Sequence, residues 1–311
     1  MYAKCFATLV LIAALHAICG DAAPAMKQES ASGITHAFLV CGNETYIVSK
    51  DGKVTWTYPG ATRDGWATRN GVLLAVSKCK EFPGGGVVFI AKGTNEKECI
   101  FKGTQDEVHS VEVIDKKDGE NVMLTEGGPK PRLLEVNQEG KIEVEFPLQC
   151  QIPNSHMQTR MARKLPNGNY LVPHLLDFAV KEYKPDGTVV NVIKTPDDPK
   201  ESWPFTAIRL ANGNTLITCT HGNHVIETDA QGKIVWQLTN KDLPEPLLSD
   251  PCGAQRLSNG NTVIASYGAT KADAVKMFEV TADKKVVWTF KSGKAHGVHE
   301  FHIFENDEMG K

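Results

Sequence analysis

Residues 207–236, AIRLANGNTLITCTHGNHVIETDAQGKIVW, contain four short apolar segments separated by tight-turn signals. The first two segments meet at Asn212-Gly213 and the last two at Gln231-Gly232, residue pairs that favour hairpin turns with positive φ. This stretch therefore predicts a small antiparallel sheet of four strands.

The same pattern recurs through most of the chain. The glycine of the first hairpin repeats at steps of 48, 49, 45 and 47 residues, at Gly71, Gly119, Gly168, Gly213 and Gly260. A four-stranded unit with this period is typical of a β-propeller, although a sandwich built from similar hairpins is the alternative.

The ends of the chain complete the repeat. Three strands predicted within residues 35–58 lack a fourth, and a single strand predicted over 296–304 has no partner after it. Joining them would form a sixth blade and hide both sheet edges. The sequence thus predicts an all-β, six-bladed β-propeller over residues 35–304, with four-stranded blades and a C-terminal strand that joins three N-terminal strands.

Two segments carry a resemblance to known families. Residues 227–236, ETDAQGKIVW, resemble the repeat of quinoprotein-like (PQQ-like) propellers, and residues 209–216, RLANGNTL, are similar to repeats of bacterial arylsulfotransferase-like propellers. The resemblance covers about residues 35–304 and concerns scaffold positions, so it implies a fold and leaves activity open. Quinoprotein dehydrogenases have eight blades and a longer chain, and their cofactor contacts find no match, so we expect no PQQ. The arylsulfotransferases use axial histidines and an arginine, but none aligns residue by residue.

The N-terminus has the pattern of a secretory signal peptide. Lys4 precedes an apolar run at 6–18, and the Ala-Pro-Ala of 23–25 fits a small-x-small cleavage site. The run is shorter than the roughly 20 residues that a spanning helix needs, which favours cleavage over a membrane anchor. We therefore expect an exported protein, periplasmic or extracellular. The predicted signal peptide, short linker and C-terminal tail are residues 1–25, 26–34 and 305–311.

The charge of the chain excludes some partners. Thirty-four basic and 37 acidic residues give a formal charge of −3. Such a chain has neither the basic footprint of a nucleic-acid-binding protein nor a polybasic membrane patch. We expect a monomer with no nucleic-acid partner and no stable membrane insertion.

Export would place the six cysteines of the mature chain where disulfides persist. Cys219 ends the second strand of one predicted blade and Cys252 starts the next, so these two could pair. Cys41 and Cys79 form a similar cross-blade candidate pair. Buried free thiols are the alternative, because a closed ring needs no covalent staples.

Seven of the nine mature histidines fall at one end of the predicted ring. In a propeller blade, the start of the innermost strand and the end of the second strand lie at the same end of the axis. Converging imidazoles there could bind a divalent metal or, when protonated, an anion. Separate surface histidines are the alternative, and no HxH or HExxH spacing indicates a metal site. The candidate ligand-binding residues are His109, His156, His174, His221, His224, His296 and His299, and the candidate metal ligands are a subset of His109, His156, His174, His221 and His299.

Other side chains are predicted at the same end. Arg132, Arg160 and Arg63 would make it cationic, and Trp66 and Trp203 could form the floor of a sugar or aryl site. Core packing and solvated loops are the alternatives for these residues. Carboxylates that could act as general acid and base are also expected around it, at Asp64, Glu107, Asp250 and Glu300.

Two classes of function follow. The first is a binding or interaction module that holds a small anionic, glycan or metal ligand, or an envelope protein, at the histidine-rich end. The second is an arylsulfotransferase-like or polysaccharide-lyase-like enzyme that uses axial histidine and arginine residues. No linked nucleophile, base and orienting group is identifiable in the sequence, which favours the binding module.

Overall fold

The computed structural model describes residues 26–94, 96–116, 119–137 and 139–305, and its strands form six antiparallel sheets arranged as a ring. The predicted all-β, six-bladed propeller is confirmed. The predicted signal peptide and most of the predicted C-terminal tail lie outside the described residues. None of the helical segments in the described ranges has the length and apolar character needed to cross a bilayer.

The strands assort into blades as follows. In chain order they are β1 (Lys27–Glu29), β2 (Phe38–Cys41), β3 (Thr45–Val48), β4 (Val54–Tyr58), β5 (Thr62–Ala67), β6 (Gly71–Val76), β7 (Gly86–Ala91), β8 (Lys97–Lys102), β9 (Glu107–Lys116), β10 (Gly119–Gly127), β11 (Arg132–Val136), β12 (Ile142–Pro147), β13 (Arg163–Lys164), β14 (Tyr170–His174), β15 (Ala179–Tyr183), β16 (Val189–Lys194), β17 (Ser202–Arg209), β18 (Thr215–His221), β19 (His224–Thr228), β20 (Ile234–Thr239), β21 (Pro251–Arg256), β22 (Thr262–Ser266), β23 (Met277–Val280), β24 (Val286–Lys291) and β25 (Glu300–Ile303). From the axis outward, blade 1 is β25-β2-β3-β4, blade 2 is β5 to β8, blade 3 is β9 to β12, blade 4 is β13 to β16 and blade 5 is β17 to β20. Blade 6 is β21-β22-β23-β24-β1. Two 3₁₀ turns, Ser155–Met157 and Asn240–Asp242, lie between blades.

The ring closes as the sequence predicts. Strand β25 pairs with β2, with Phe38 opposite Ile303 and Cys41 opposite Glu300. Strand β25 is therefore the innermost strand of blade 1 and shares one sheet with β2, β3 and β4.

A second closure lies in the segment predicted as a linker. Strand β1 adds a fifth strand to the outer edge of blade 6, with Gln28 opposite Phe290. The Gln28 side chain accepts a hydrogen bond from the indole nitrogen of Trp288 at 2.9 Å and donates one to the carbonyl of His36 at 3.0 Å. This segment thereby ties blade 6 to the strand that enters blade 1.

The Asn-Gly-Asn turns of the repeat build a clamp between blades. In blade 5, Gly213 has φ of +87°, and Asn214 donates to Oε1 of Glu227 at 2.7 Å. Arg256 of blade 6 donates to Oε2 of the same carboxylate at 2.9 Å. Glu227 therefore joins its own turn to the next blade. The clamp recurs in blade 4 with Asn169, Glu182 and Arg209, and in blade 6 with Asn261, Glu279 and His36.

We expect Glu227→Gln to destabilise the ring. Glu227 is 7% exposed and accepts charge-assisted hydrogen bonds, each of which contributes about 1.5–3 kcal/mol. A loss of about 2 kcal/mol should lower Tm by about 4–8 °C in a domain of this size. Thermal unfolding followed by circular dichroism measures it. Glu139→Gln, at an exposed turn, is the matched control, and equal Tm values for the two variants would contradict the clamp.

The six described cysteines are free thiols, which corrects both candidate disulfide pairs. The hydroxyl of Thr218 donates to the carbonyl of Cys252 at 2.6 Å, so the Thr218 side chain faces blade 6. Because successive side chains of a strand alternate between faces, Cys219 faces the opposite way, towards blade 4. In the other pair, Cys41 is buried and Cys79 is exposed.

Candidate functional site

A cavity of about 210 Å³ opens at the end of the axis where the innermost strands begin, which we call the start face. Five of the residues predicted for a ligand site line it together, and so does Arg63. These six residues come from blades 1, 2, 4 and 5 or from the connections that enter them. We call this space the axial cavity, and its lining includes Arg63, His156, Arg160, Trp203, His221 and His299.

Arg160 is the most unusual group in the axial cavity. It is 2% exposed, and its guanidinium donates to the carbonyl of Thr159 at 2.7 Å and to Nε2 of His156 at 3.4 Å. Its Nε atom has no hydrogen-bond partner, and no carboxylate of the described residues forms an ion pair with it. Burial, together with the charge of Arg63, lowers the pKa of Arg160 to about 10, so the side chain is still cationic at neutral pH. Among the described residues, Arg160 thus carries a buried positive charge that forms no ion pair, and the charge of nearby Glu107 only partly offsets the effect of burial on its pKa.

Glu107 orients the neighbouring groups. It accepts hydrogen bonds from Nδ1 of His156 at 3.1 Å and from Arg63 at 3.3 Å. Burial by itself would raise the pKa of Glu107, but the bond from His156 and the charge of Arg63 hold it at about 2. Since Nδ1 of His156 carries the proton, its Nε2 is the acceptor that faces Arg160. The Glu107 carboxylate thus bonds to Arg63 and His156 and makes no direct ion pair with Arg160, although its charge acts on that guanidinium.

His299 forms part of the wall of the cavity. Its Nδ1 lies 2.9 Å from the carbonyl of Arg63 and must donate to it. Burial, with the charges of Arg63 and Arg160 nearby, lowers the pKa of His299 well below its usual value, so the ring is neutral and Nε2 carries a lone pair. Phe205 packs edge-on against His299, with 4.8 Å between ring centroids. The centroid of the Phe205 ring lies 5.7 Å from Cζ of Arg160. The cavity combines cationic and aromatic surfaces.

Trp203 and His221 form the rim. Their rings stack with 4.2 Å between centroids, and Nδ1 of His221 lies 3.0 Å from the Asp250 carboxylate. The His221 side chain is 46% exposed. Within the described part of the chain, the Trp203 indole nitrogen has no hydrogen-bond partner. This rim leaves a flat aromatic surface open to a ligand.

Two candidate histidines lie beneath the start face without lining the cavity. His109 is buried, bonds to Thr159 at 3.0 Å and lies 3.6 Å from Glu107. His174 is buried against Tyr183, with 2.9 Å between Nε2 and the phenol oxygen. Burial lowers the pKa of both imidazoles well below the usual value. Both are neutral groups; His109 contacts Thr159 and Glu107 next to the cavity, and His174 packs within blade 4.

The remaining polar candidates are elsewhere. His224 is buried within blade 5 and bonds to the carbonyl of Gly222 at 3.1 Å. His296 lies in the connection into blade 1, 3.6 Å from Glu44. Arg132 is in the outer part of blade 3, where it pairs with the carboxylates of Glu126 and Glu145.

Trp66 lies at the opposite end of the axis, which corrects its placement at the start of an innermost strand. Strand β5 begins at Thr62, so Trp66 is near its end. The indole donates to the carbonyl of Val111 at 2.7 Å, and the Arg163 guanidinium lies 5.2 Å from its ring. Trp66 lines a second cavity of about 240 Å³ on that opposite face.

A charged cluster lies one step deeper along the innermost strands than the axial cavity. Asp64 follows Arg63, and Glu300 follows His299. Arg163 donates to Oδ2 of Asp64 at 2.9 Å and lies 3.9 Å from Glu300. We call Asp64, Glu112, Arg163 and Glu300 the axial charge cluster. Burial raises the pKa of Glu112 to about 7 and that of Glu300 to about 8, and the negative charge of Asp64 adds to both shifts.

We expect the stability of the protein to fall between pH 6.5 and pH 8. The folded state holds protons on Glu112 and Glu300 up to about pH 7 and 8, whereas the unfolded state has released them above about pH 4.5. Stability is therefore lost as pH rises from about 4.5 to the folded values, by about 1.4 kcal/mol per proton and pH unit, and the loss is complete near pH 8. The buried histidines make stability depend on pH only below about pH 6.5, where the unfolded state takes up protons on their imidazoles. Tm measured across this range should fall, and Glu300→Gln should flatten the slope; an unchanged slope would contradict the assignment.

The five candidate metal ligands do not come together as one group in this structure. Among residues 26–94, 96–116, 119–137 and 139–305, no three His, Cys, Asp or Glu side chains form a group that could hold a metal ion. Of the candidate metal ligands, His156, His221 and His299 line the cavity, but each has its own partner, in Glu107, Asp250 and the Arg63 carbonyl.

The sequence interpretation missed two aromatic residues of the axial cavity, Phe205 and Tyr267. Phe205 follows Trp203 by two positions in β17, and this spacing places both side chains on the same side of the strand. Tyr267 directly follows the end of β22, the second strand of its blade, as His221 ends β18. The repeat itself could have identified Tyr267, because equivalent positions of successive blades converge at one end of the axis.

The fold and the cavity together define a six-bladed β-propeller with a cationic, aromatic site on its axis. A family model described as Mal s 1 allergenic protein-like matches residues 115–243, which is less than half of the chain. No curated protein matches the sequence significantly.

Solved structures share the architecture. A protein of unknown function from Bacteroides caccae is 22% identical over 88% of this chain and 100% of its own, with a TM-score of 0.73. The propeller chain of a nidogen/laminin complex is 11% identical over 87% and 98%, with a TM-score of 0.63. A catalytically inactive form of virginiamycin B lyase from Staphylococcus aureus, solved with quinupristin, is 13% identical over 89% and 96%, with a TM-score of 0.57. At these identities the likeness concerns the fold alone.

Proposed function

We propose that this chain is an exported binding propeller whose axial cavity holds a small ligand through an anionic group. The observation that carries the proposal is Arg160, a guanidinium that is 2% exposed, lines the cavity and has no carboxylate partner among the described residues. A buried charge without a partner is costly, and an incoming sulfate, phosphate or carboxylate would offset that cost with charge-assisted hydrogen bonds. An acidic sugar or an acidic loop of an envelope protein could present the same group.

The walls of the cavity narrow the ligand class. A volume of about 210 Å³ suits a small molecule. Trp203, Phe205 and Tyr267 supply flat apolar surfaces beside the arginine, and aromatic walls with a few placed polar groups are typical of ligand pockets. A planar ring that bears a carboxylate, sulfate or phosphate fits both features.

Thermal shift and isothermal titration calorimetry test this proposal. Benzoate, phenyl sulfate and phenyl phosphate should each raise Tm, whereas phenol and benzyl alcohol, which lack the anionic group, should not. A ligand at 100 times its Kd stabilises by about 2.7 kcal/mol, which is measurable. The affinity should also weaken as salt rises. Equal binding of the neutral and anionic compounds, or none by any of them, would refute an anion site.

A catalytic use of the same cavity is the second candidate, favoured by one observation. His299 is held neutral, with a lone pair on Nε2, next to two arginines. Such a group could accept a proton from a carbon beside a bound carboxylate, as a general base does. Proton NMR of a bound anion in deuterated water tests this: exchange or elimination that is lost in His299→Gln supports an enzyme, and an unchanged ligand leaves the binding module as the function.

A further inference from the structure

A second site lies away from the axis, at the side of the ring. A cleft of about 640 Å³ separates the outer part of blade 1 from blade 2. Trp56 and Tyr58 lie two positions apart on β4, so both side chains are on the same face of that strand. We call this space the lateral cleft, and it is lined by Trp56, Tyr58, Lys78, Glu81 and Lys97.

The length of a connection explains why this cleft is open. Trp236 of blade 5 is the positional equivalent of Trp56, since each lies opposite the third-strand residue that precedes a β-bulge. The indole N–H of Trp236 donates to the carbonyl of Ala282 in blade 6 at 2.9 Å. Leucines of the connection 240–250 belong to the hydrophobic core cluster against which Trp236 packs. The corresponding connection from blade 1 to blade 2 has only residues 59–61. It is too short to cover the aromatic pair.

The polar groups of the pair are available to a ligand. The indole nitrogen of Trp56 and the hydroxyl of Tyr58 have no hydrogen-bond partner within the described part of the chain. Trp66, Trp236 and Trp288, in contrast, each donate to a protein acceptor. The two tryptophans that lack such a partner among the described residues, Trp56 and Trp203, both line cavities.

The charges at the edge of the cleft are already matched. Lys97 donates to both carboxylate oxygens of Glu81 at 2.6 Å, and Lys78 lies 3.8 Å from Glu107. The axial cavity differs, because its Arg160 has no carboxylate partner in the described ranges. The lateral cleft thus offers flat aromatic faces, hydrogen-bonding groups and a Lys97–Glu81 pair whose charges cancel.

We propose that the lateral cleft binds neutral pyranose units of a glycan. The faces of a pyranose ring carry C–H groups that pack against aromatic rings, while the hydroxyls at its edge accept and donate hydrogen bonds. Trp56 and Tyr58 supply both kinds of contact, and the paired charges of Lys97 and Glu81 provide donors and acceptors without favouring an acidic sugar. The residues that line this site do not line the axial cavity, and the contact between Lys78 and Glu107 connects the two regions.

Tryptophan fluorescence and calorimetry with neutral oligosaccharides of glucose, mannose and N-acetylglucosamine test the proposal on the folded protein. At least one series should bind and alter the fluorescence, and Trp56→Ala should weaken that binding at least about 10-fold. Trp56→Phe, which keeps an aromatic face, and Tyr58→Phe should weaken it less and retain the wild-type Tm. No binding by any series, or unchanged affinity in the three variants, would overturn the proposal.

Trp236→Phe is the matched control, because it removes an equivalent indole whose nitrogen is already bonded within the protein. It should lower Tm without changing sugar affinity. Arg160→Met should likewise leave sugar binding unchanged. If Arg160→Met abolished the sugar binding, the sugar would occupy the axial cavity and the lateral assignment would be wrong.

Discussion

Arg160→Met should abolish anion binding without lowering the Tm of the unliganded protein. Truncating one partner of a buried, hydrogen-bonded charge pair costs about 2–5 kcal/mol of binding energy, so affinity should fall at least about 30-fold. Stability should behave differently. Arg160 is buried without a counter-ion among the described residues, and exchanging buried charge for an apolar side chain of similar volume is often neutral or stabilising. If anion binding is lost while Tm is retained or raised, the positive charge of Arg160 serves to bind a ligand and does not stabilise the fold.

Arg209→Met is the control for this experiment. Arg209 has a carboxylate partner, since it lies 3.0 Å from Glu182, and it is at the opposite face. Its replacement breaks the blade 4 clamp, so it should lower Tm by a few degrees and leave anion affinity unchanged. The interpretation of Arg160 fails if Arg160→Met binds phenyl phosphate as the wild type does, or if its Tm falls as far as that of a variant that breaks a buried ion pair.

Arg163→Met should be among the most destabilising single substitutions in the ring. Arg163 is the cation of the axial charge cluster, and Asp64, its main partner, is 0% exposed. Removing one partner of a buried pair leaves an uncompensated charge and costs about 3–5 kcal/mol. At about 2–4 °C per kcal/mol for domains of this size, Tm should fall by roughly 10 °C.

Urea unfolding at pH 7 and differential scanning calorimetry measure this loss. Arg209→Met again serves for comparison, because it breaks a pair whose arginine side chain is 23% exposed and should cost less. Asp64→Asn combined with Arg163→Met should recover part of the stability, since the unpaired carboxylate is gone. Equal losses in Arg163→Met and Arg209→Met would mean that the cluster does not stabilise the axis.

Local sequence signals were sufficient for the fold. Each hairpin is marked by turn residues such as Asn212-Gly213, and the strand orphaned at 296–304 matches the three orphaned strands at the N-terminus. The turn residues can be recognised within short segments, and the unpaired strands are found by counting strands along the chain. Together these two signals predict the closed ring. The strand β1 escaped prediction because its three residues carry no apolar alternation; only its pairing, with Gln28 in register with Phe290, makes it a strand.

The candidate site could be predicted only in part. Of the predicted residues, His156, His221, His299, Trp203 and Arg160 line one cavity together. The repeat does not predict which side chains point into the cavity. That depends on the exact residue at which each strand begins and on the alternation of side chains along the strand. Trp66 is at the far end for this reason, and His174 points into its own blade towards Tyr183.

The sequence by itself thus determined a closed ring of six four-stranded blades and the end of the axis near which His156, His221 and His299 lie. Tertiary structure alone decided which charges are matched. Within the described ranges, Glu107 bonds to Arg63 and His156, Asp64 bonds to Arg163, and Arg160 is left buried without a carboxylate. Charge pairing depends on distances of a few ångströms between strands that are dozens of residues apart in the chain. Those distances are set by the packing of blades around the axis, which no local pattern encodes.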